Sequence, residues 1–165
     1  MAPPRIVAIL LSLLLPAASF GQVPDHTLAA DDPAPAALQT LRDRFRPLLI
    51  FTPSEAEPAF LRQVEMIAAH APELADRDVA ILSIPFRRTA QPYIAPGLLR
   101  QVNLTPLGES EARALFHVPR NSFTVLLIGK DGGEKLRSSE PLGPDALFPV
   151  IDTMPMRLQE MTRRP

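Results

Sequence analysis

The amino-acid sequence predicts one α/β domain, a mixed β-sheet flanked by helices. Two observations carry this. The runs "LLIF" and "VAILSI" are apolar almost throughout, as strands covered on both faces are, and each sits beside a segment of helical spacing. "SFTVLLIGKDGGEKLRS" joins a strong apolar run to a polar return strand through a Lys-Asp-Gly-Gly turn, and a helical segment follows it. A hairpin added to parallel strand–helix–strand units makes a mixed sheet with helices on its faces.

The first residues are read as an address rather than as fold. Arg5 precedes the apolar stretch "IVAILLSLLLPAA", Pro16 breaks it, and the small residues Ser19 and Gly21 suit cleavage between Gly21 and Gln22. The run is shorter than the roughly 20 apolar residues of a comfortable membrane span, so a cleaved signal peptide over 1–21 is expected rather than a retained anchor. The expected address is periplasmic in a Gram-negative bacterium and extracellular otherwise, with no membrane contact after cleavage. Residues 22–37, with three prolines and three aspartates, read as a flexible leader, and 38–165 as the folded domain.

Each element has its own signal. Leu38, Leu41 and Phe45 have helical spacing, and Pro47 predicts a stop before the strand Leu48 to Phe51. A helix from Pro58 to about His70 is expected to turn Phe60, Leu61, Val64, Ile67 and Ala68 inward, with Pro72 ending it. The second strand is Val79 to Ile84. Residues 85–108 hold four prolines and read as a long connection, of the kind that is usually functional or mobile. A helix capped by Glu109 or Ser110 turns Ala112, Leu115 and Phe116 inward. The strand Phe123 to Ile128 and its hairpin partner follow, and the last helical segment opens at "GPDALFPVID", with Pro149 and Pro155 limiting or kinking it.

Composition excludes several functions. With residues 1–21 removed, 16 basic residues face 18 acidic ones, which is no footprint for nucleic acid. The chain has no cysteine, so disulfides, thiolate nucleophiles, iron–sulfur clusters and cysteine zinc sites are all absent. Its core must supply its stability.

The element order, with a hairpin before a terminal helix, is similar to the thioredoxin fold. "RPLLIF", "FTVLLIGKDGGEKLRS" and "IDTMPMRLQEM" together resemble a bacterial family, domain of unknown function 4174, over about Leu38 to Met161. The same domain type is found in animal proteins carrying sushi repeats or related matrix modules. The resemblance implies a thioredoxin-like, secreted domain with no proven activity. It also implies a redox pair near Ala56 and Ala59, and both are alanine. Thiol–disulfide exchange needs a thiolate, so that chemistry is closed to this chain. The proline that usually precedes the hairpin strand would fall near Phe123 or Thr124, and neither is proline.

The candidate site residues are Ser54, Glu55, Arg87, Arg88 and Arg120. Ser54 with Glu55 and Glu57 can be a nucleophile beside a base, or simply an N-cap with acids at the positive helix end. Arg87 and Arg88, with Arg120 and Lys130, can form an anion-binding rim, or be solvated loop charges. His26, His70 and His117 lack metal-ligand spacing, and His117 reads as a partly buried structural histidine. Asp31 and Asp32 with His26 lie in the leader, which has no reason to hold a metal geometry. Met154, Met156 and Met161 can be copper(I) thioether ligands, but read better as packing, with Arg157 and Glu160 as a local pair.

The expected function is therefore a non-catalytic binding module with no cofactor, its partner a protein, a glycan or a small anion. Its surface is expected where the Thr52–Ala59 loop, the Arg87-Arg88 loop and the Arg120–Phe123 turn converge. An enzyme working without cysteine and a copper or other metal carrier are the two alternatives. No dimer is predicted, since the charged "EKLRSSE" discourages pairing at an open sheet edge.

Overall fold

The computed structural model describes residues 36–86, 91–92 and 108–163. The element order is α1 (Ala36–Gln39), β1 (Arg46–Thr52), α2 (Pro58–Ala69), α3 (Ala71–Asp76), β2 (Val79–Pro85), β3 (Gln91–Pro92), α4 (Glu109–Leu115), β4 (Thr124–Ile128), β5 (Glu134–Ser138), α5 (Pro144–Asp152) and α6 (Pro155–Arg163). The strands form one mixed sheet in the order β3-β2-β1-β4-β5. β1 and β2 run parallel, and every other neighbouring pair is antiparallel. The α/β class with a mixed sheet is as the sequence predicts.

Alternation along the central strands divides the core in two. Leu48 and Ile50 of β1, Ile81 of β2, and Val125 and Leu127 of β4 face Phe60, Ile67, Leu74, Leu147 and Ile151 of the helices α2, α3 and α5. Leu49, Phe51, Leu82, Ile84, Leu126 and Ile128 point the other way, onto Leu41, Phe45, Ala112 and Phe116. Every residue of β1, β2 and β4 is buried, which is why these segments are apolar on both faces. Burying one such large side chain contributes roughly 1.5–3 kcal/mol.

Several elements differ from their sequence expectation. The helix predicted over 38–45 stops at Gln39, because Asp43 adopts a left-handed conformation (φ 62°) and donates its N–H to the Lys130 carbonyl at 2.8 Å. Pro47 does not stop the chain; it lies inside β1. The Arg46 N–H already points toward β2, bonding Asp78, so the donor Pro47 lacks would face β4, where pairing begins only at Leu48. Pro72 opens α3 rather than ending α2, since the first turn of a helix does not need its N–H.

The inward face of α2 is Phe60, Gln63 and Ile67, not the all-apolar stripe predicted. Leu61 is 53% exposed and Ala68 is exposed. Gln63 is buried because its amide makes two bonds to the backbone of Leu142, donating to the carbonyl (3.1 Å) and accepting from the N–H (2.7 Å). Gly108, not Glu109 or Ser110, occupies the N-cap position of α4.

Candidate functional site

The parallel strands end at Thr52 and Pro85, and β4 begins beside them, with Thr124 opposite Phe51. In open α/β sheets this carboxyl end is where ligands gather. One side chain organises it. Arg113, buried on α4, donates to the Thr52 carbonyl at 3.2 Å and to the Pro119 carbonyl at 2.6 Å, and pairs through Nε with Glu109. Its guanidinium also lies over the Phe51 ring, 5.4 Å from the centroid. Phe51 in turn packs edge-on against Phe116 at 6.3 Å. A single arginine thus joins the end of β1, helix α4 and the turn leading to β4.

Outside this knot lies a cleft of about 630 Å³, walled by Phe86, Glu109, Ser110, Arg113, Ala114, His117, Val118, Pro119 and Arg120. That volume is in the range of small-ligand sites. Arg120 is exposed and lines it. His117, expected to be partly buried, is exposed instead. It follows the C-cap of α4 with φ 52°, which turns its side chain off the helix.

Ser54 and Glu55 are exposed on the loop after β1 and do not line the cleft among the described residues. The Ser54 hydroxyl accepts the Ala56 N–H at 3.1 Å, and the residue at the N-cap of α2 is Glu57, so Ser54 closes a local turn and does not cap the helix. Thr52 holds this loop by donating its hydroxyl to the Ser54 carbonyl at 2.6 Å. Arg87 and Arg88, like residues 1–35 with the leader histidine and aspartates, lie outside the described residues. Of the three segments expected to converge, the Arg87-Arg88 loop lies outside the described residues, and Arg113 ties Thr52 to Pro119, the residue before the Arg120–Phe123 turn.

Lys130 is not on that rim. It follows β4 at the opposite end of the sheet, buried, with its ammonium 3.0 Å from Asp78 and 2.6 Å from Glu160. Arg46 meets the same carboxylate with both terminal nitrogens, each at 3.2 Å. The expected local pair of Arg157 and Glu160 is therefore not formed. Arg157 binds Asp76 and Asp152 instead, and Asp152 also receives Arg77 at 2.7 Å. Burial alone would raise the Glu160 carboxyl, but the hydrogen bonds from Arg46 and Lys130 outweigh it and hold the group below its ordinary value. Asp152 is lowered in the same way, burial being outweighed by Arg77 and Arg157.

The cleft carries a hydroxyl and an imidazole but not a relay between them. Ser110 stands in the first turn of α4 and His117 beyond its C-cap, at opposite ends of the helix, and no hydrogen bond joins their side chains. Among the described residues, no three His, Asp or Glu side chains gather into a metal-holding group. Met154 and Met156 line one cavity, but Met161 does not join them there and is 41% exposed. No described helix is long and apolar enough to cross a membrane.

A cysteine-free α/β domain with a ligand-sized cleft at the carboxyl end of its sheet is the class this geometry defines. The chain belongs to the family described as Domain of unknown function (DUF4174), which it matches over residues 37–160. It is similar to human sushi repeat-containing protein SRPX2, 28% identical over 131 residues, covering 79% of this chain and 27% of that protein. Rat sushi repeat-containing protein SRPX is likewise 28% identical, over 78% of this chain and 27% of the relative. Zebrafish coiled-coil domain-containing protein 80 is 24% identical over 150 residues, 83% of this chain and 17% of that one. The chain thus spans about a quarter of the length of its sushi-repeat relatives.

Proposed function

We propose that this chain is an exported, non-catalytic binding module of thioredoxin-like build, and that the cleft beside α4 is its ligand surface. The observation that carries the reading is the pairing of a fixed wall with an open rim. Arg113 is locked by Glu109 and two backbone carbonyls, while Arg120 on the rim has no ion-pair partner among the described residues. A rigid wall lowers the ordering cost of binding, and an exposed guanidinium beside the apolar Phe86, Val118 and Pro119 suits a partner presenting an acidic group on an apolar body. Sushi-repeat relatives that contain this domain beside other segments support a modular, interacting role. The apolar stretch before Gln22 supports export. The separation of Ser110 and His117 to opposite ends of α4 weighs against the enzyme alternative.

The test is affinity capture by residues 22–165 from the periplasmic or culture extract of the producing cell, against Arg120→Glu and Ala114→Trp, which respectively reverse the rim charge and fill the cleft. A partner held by the native domain and lost by both variants supports the reading. A partner held equally by all three places binding on another surface.

A further inference from the structure

We propose that Arg46 and Lys130 form a buried oxyanion site that Glu160 occupies in cis, so that helix α6 is a plug which an external carboxylate or phosphate group can displace. The site has the chemistry of an anion receptor. Arg46 is fully buried and Lys130 is 7% exposed, and between them they bind both oxygens of one carboxylate, the fork of Arg46 taking Oε1 and Oε2 and the Lys130 ammonium taking Oε1. That planar, two-oxygen grip is how arginine recognises free carboxylates and phosphates. The Arg46 Nε is buried and without a hydrogen-bond partner, so the guanidinium as a whole holds one donor more than its present contacts use.

Charge makes the site need an anion. Without Glu160, Lys130 keeps Asp78, but the buried Arg46 guanidinium keeps the Arg77 carbonyl and no carboxylate among the described residues, and an uncompensated buried charge is strongly unfavourable. The plug itself is attached lightly. Arg157 is the sole buried residue of α6, while Leu158 and Met161 are 48% and 41% exposed, so the helix holds to the body by polar contacts rather than by apolar burial. Lifting the Glu160 end exposes little apolar surface. Beside the site a cavity of about 320 Å³, lined by Arg46, Lys130, Met154, Met156 and the paired Lys135 and Asp131 among others, has room for the body of a ligand whose anionic group takes the place of Glu160.

The test titrates inorganic phosphate against sodium chloride at matched ionic strength, using the full chain, Glu160→Ala and Glu160→Gln. The vacated site of Glu160→Ala is expected to bind phosphate saturably, raising the melting temperature by roughly 4 °C at tenfold excess over Kd. Adding Lys130→Met abolishes that gain. Equal responses to phosphate and chloride in folded Glu160→Ala, or a gain that survives Lys130→Met, overturn the proposal. Glu160→Gln removes the charge but leaves the site filled; if the alanine variant does not fold, phosphate is expected to displace this uncharged plug and still raise the melting temperature over chloride, a gain that Lys130→Met abolishes. In the unaltered chain, phosphate is expected to speed hydrogen exchange of residues 156–163 several-fold over chloride, as the plug is displaced. Identical exchange in the two salts shows a purely structural ion pair and also overturns it.

Discussion

The Arg113 guanidinium donates to the Thr52 carbonyl at 3.2 Å across a sequence separation of 61 residues. This bond fixes the carboxyl end of β1 against helix α4, and the same side chain carries the turn at Pro119. Removing it takes a buried charge partner from Glu109 and one donor from each of two carbonyls, which keep the N–H groups of Phe86 and Ser122. Arg113→Ala is expected to lower stability by about 3 kcal/mol, the cost of breaking a buried charge pair. Arg113→Lys, with fewer donors in the wrong geometry, recovers only part. Urea denaturation measures both, and a loss under about 1 kcal/mol for the alanine variant contradicts the role of Arg113 as the organiser of this end.

Gln63 and Leu142 make a second long-range tie. The buried amide satisfies both the N–H and the carbonyl of Leu142, so Gln63→Leu, though similar in volume and more apolar, leaves two backbone groups unpaired. A loss of about 2 kcal/mol is expected in the same assay, in spite of the gain in apolar character. A neutral or stabilising Gln63→Leu rules out this account of why a polar residue sits on the inner face of α2.

Two adjacent side chains of α2 separate just as sharply. Phe60 is buried in the core and Leu61 is 53% exposed. Phe60→Ala is expected to cost about 3–4 kcal/mol and Leu61→Ala under about 0.5 kcal/mol. Comparable losses at both positions would restore the all-apolar stripe that the spacing alone suggested.

Acid should unlatch α6. Glu160 and Asp152 have folded-state values held below their ordinary 4.5 and 3.8, so the unfolded chain takes up protons first as pH falls. The stability these groups contribute is complete at neutral pH. It declines as pH drops below about 4.5, through the ordinary values toward the lowered folded ones. Melting temperatures between pH 7 and pH 3 follow this, and Glu160→Gln is expected to flatten part of the decline. A Glu160→Gln profile parallel to that of the native chain removes Glu160 from the explanation.

The three central strands were legible in the sequence because burial on both faces writes itself as unbroken apolar runs, and the hairpin because Asp131 and Gly132 mark its turn. Legibility ended where tertiary contacts decide. No local pattern distinguishes Arg113, buried by Glu109 and two distant carbonyls, from an ordinary surface arginine of a helix. Lys130 lies at the opposite end of the sheet from Arg120 because β4 carries the chain from one end to the other, which charge spacing along the sequence does not show. Gln63 was overlooked because periodicity ranks residues by apolarity, whereas its burial depends on a backbone segment 79 residues away. Of the described candidates Ser54, Glu55 and Arg120, it is Arg120 that lines the cleft, and its signal is its charge in the turn before β4.

The proposed function makes the cleft beside α4 the surface that meets a partner. Its most direct test places a photo-crosslinking amino acid at Ala114, inside the cleft, or at the exposed Leu61 of α2 as the control, in the cell that makes the protein. The account predicts a discrete higher-mass adduct from position 114, lost on adding Arg120→Glu, and none from position 61. Adducts from position 61 alone, or from 114 regardless of the charge at 120, would contradict it.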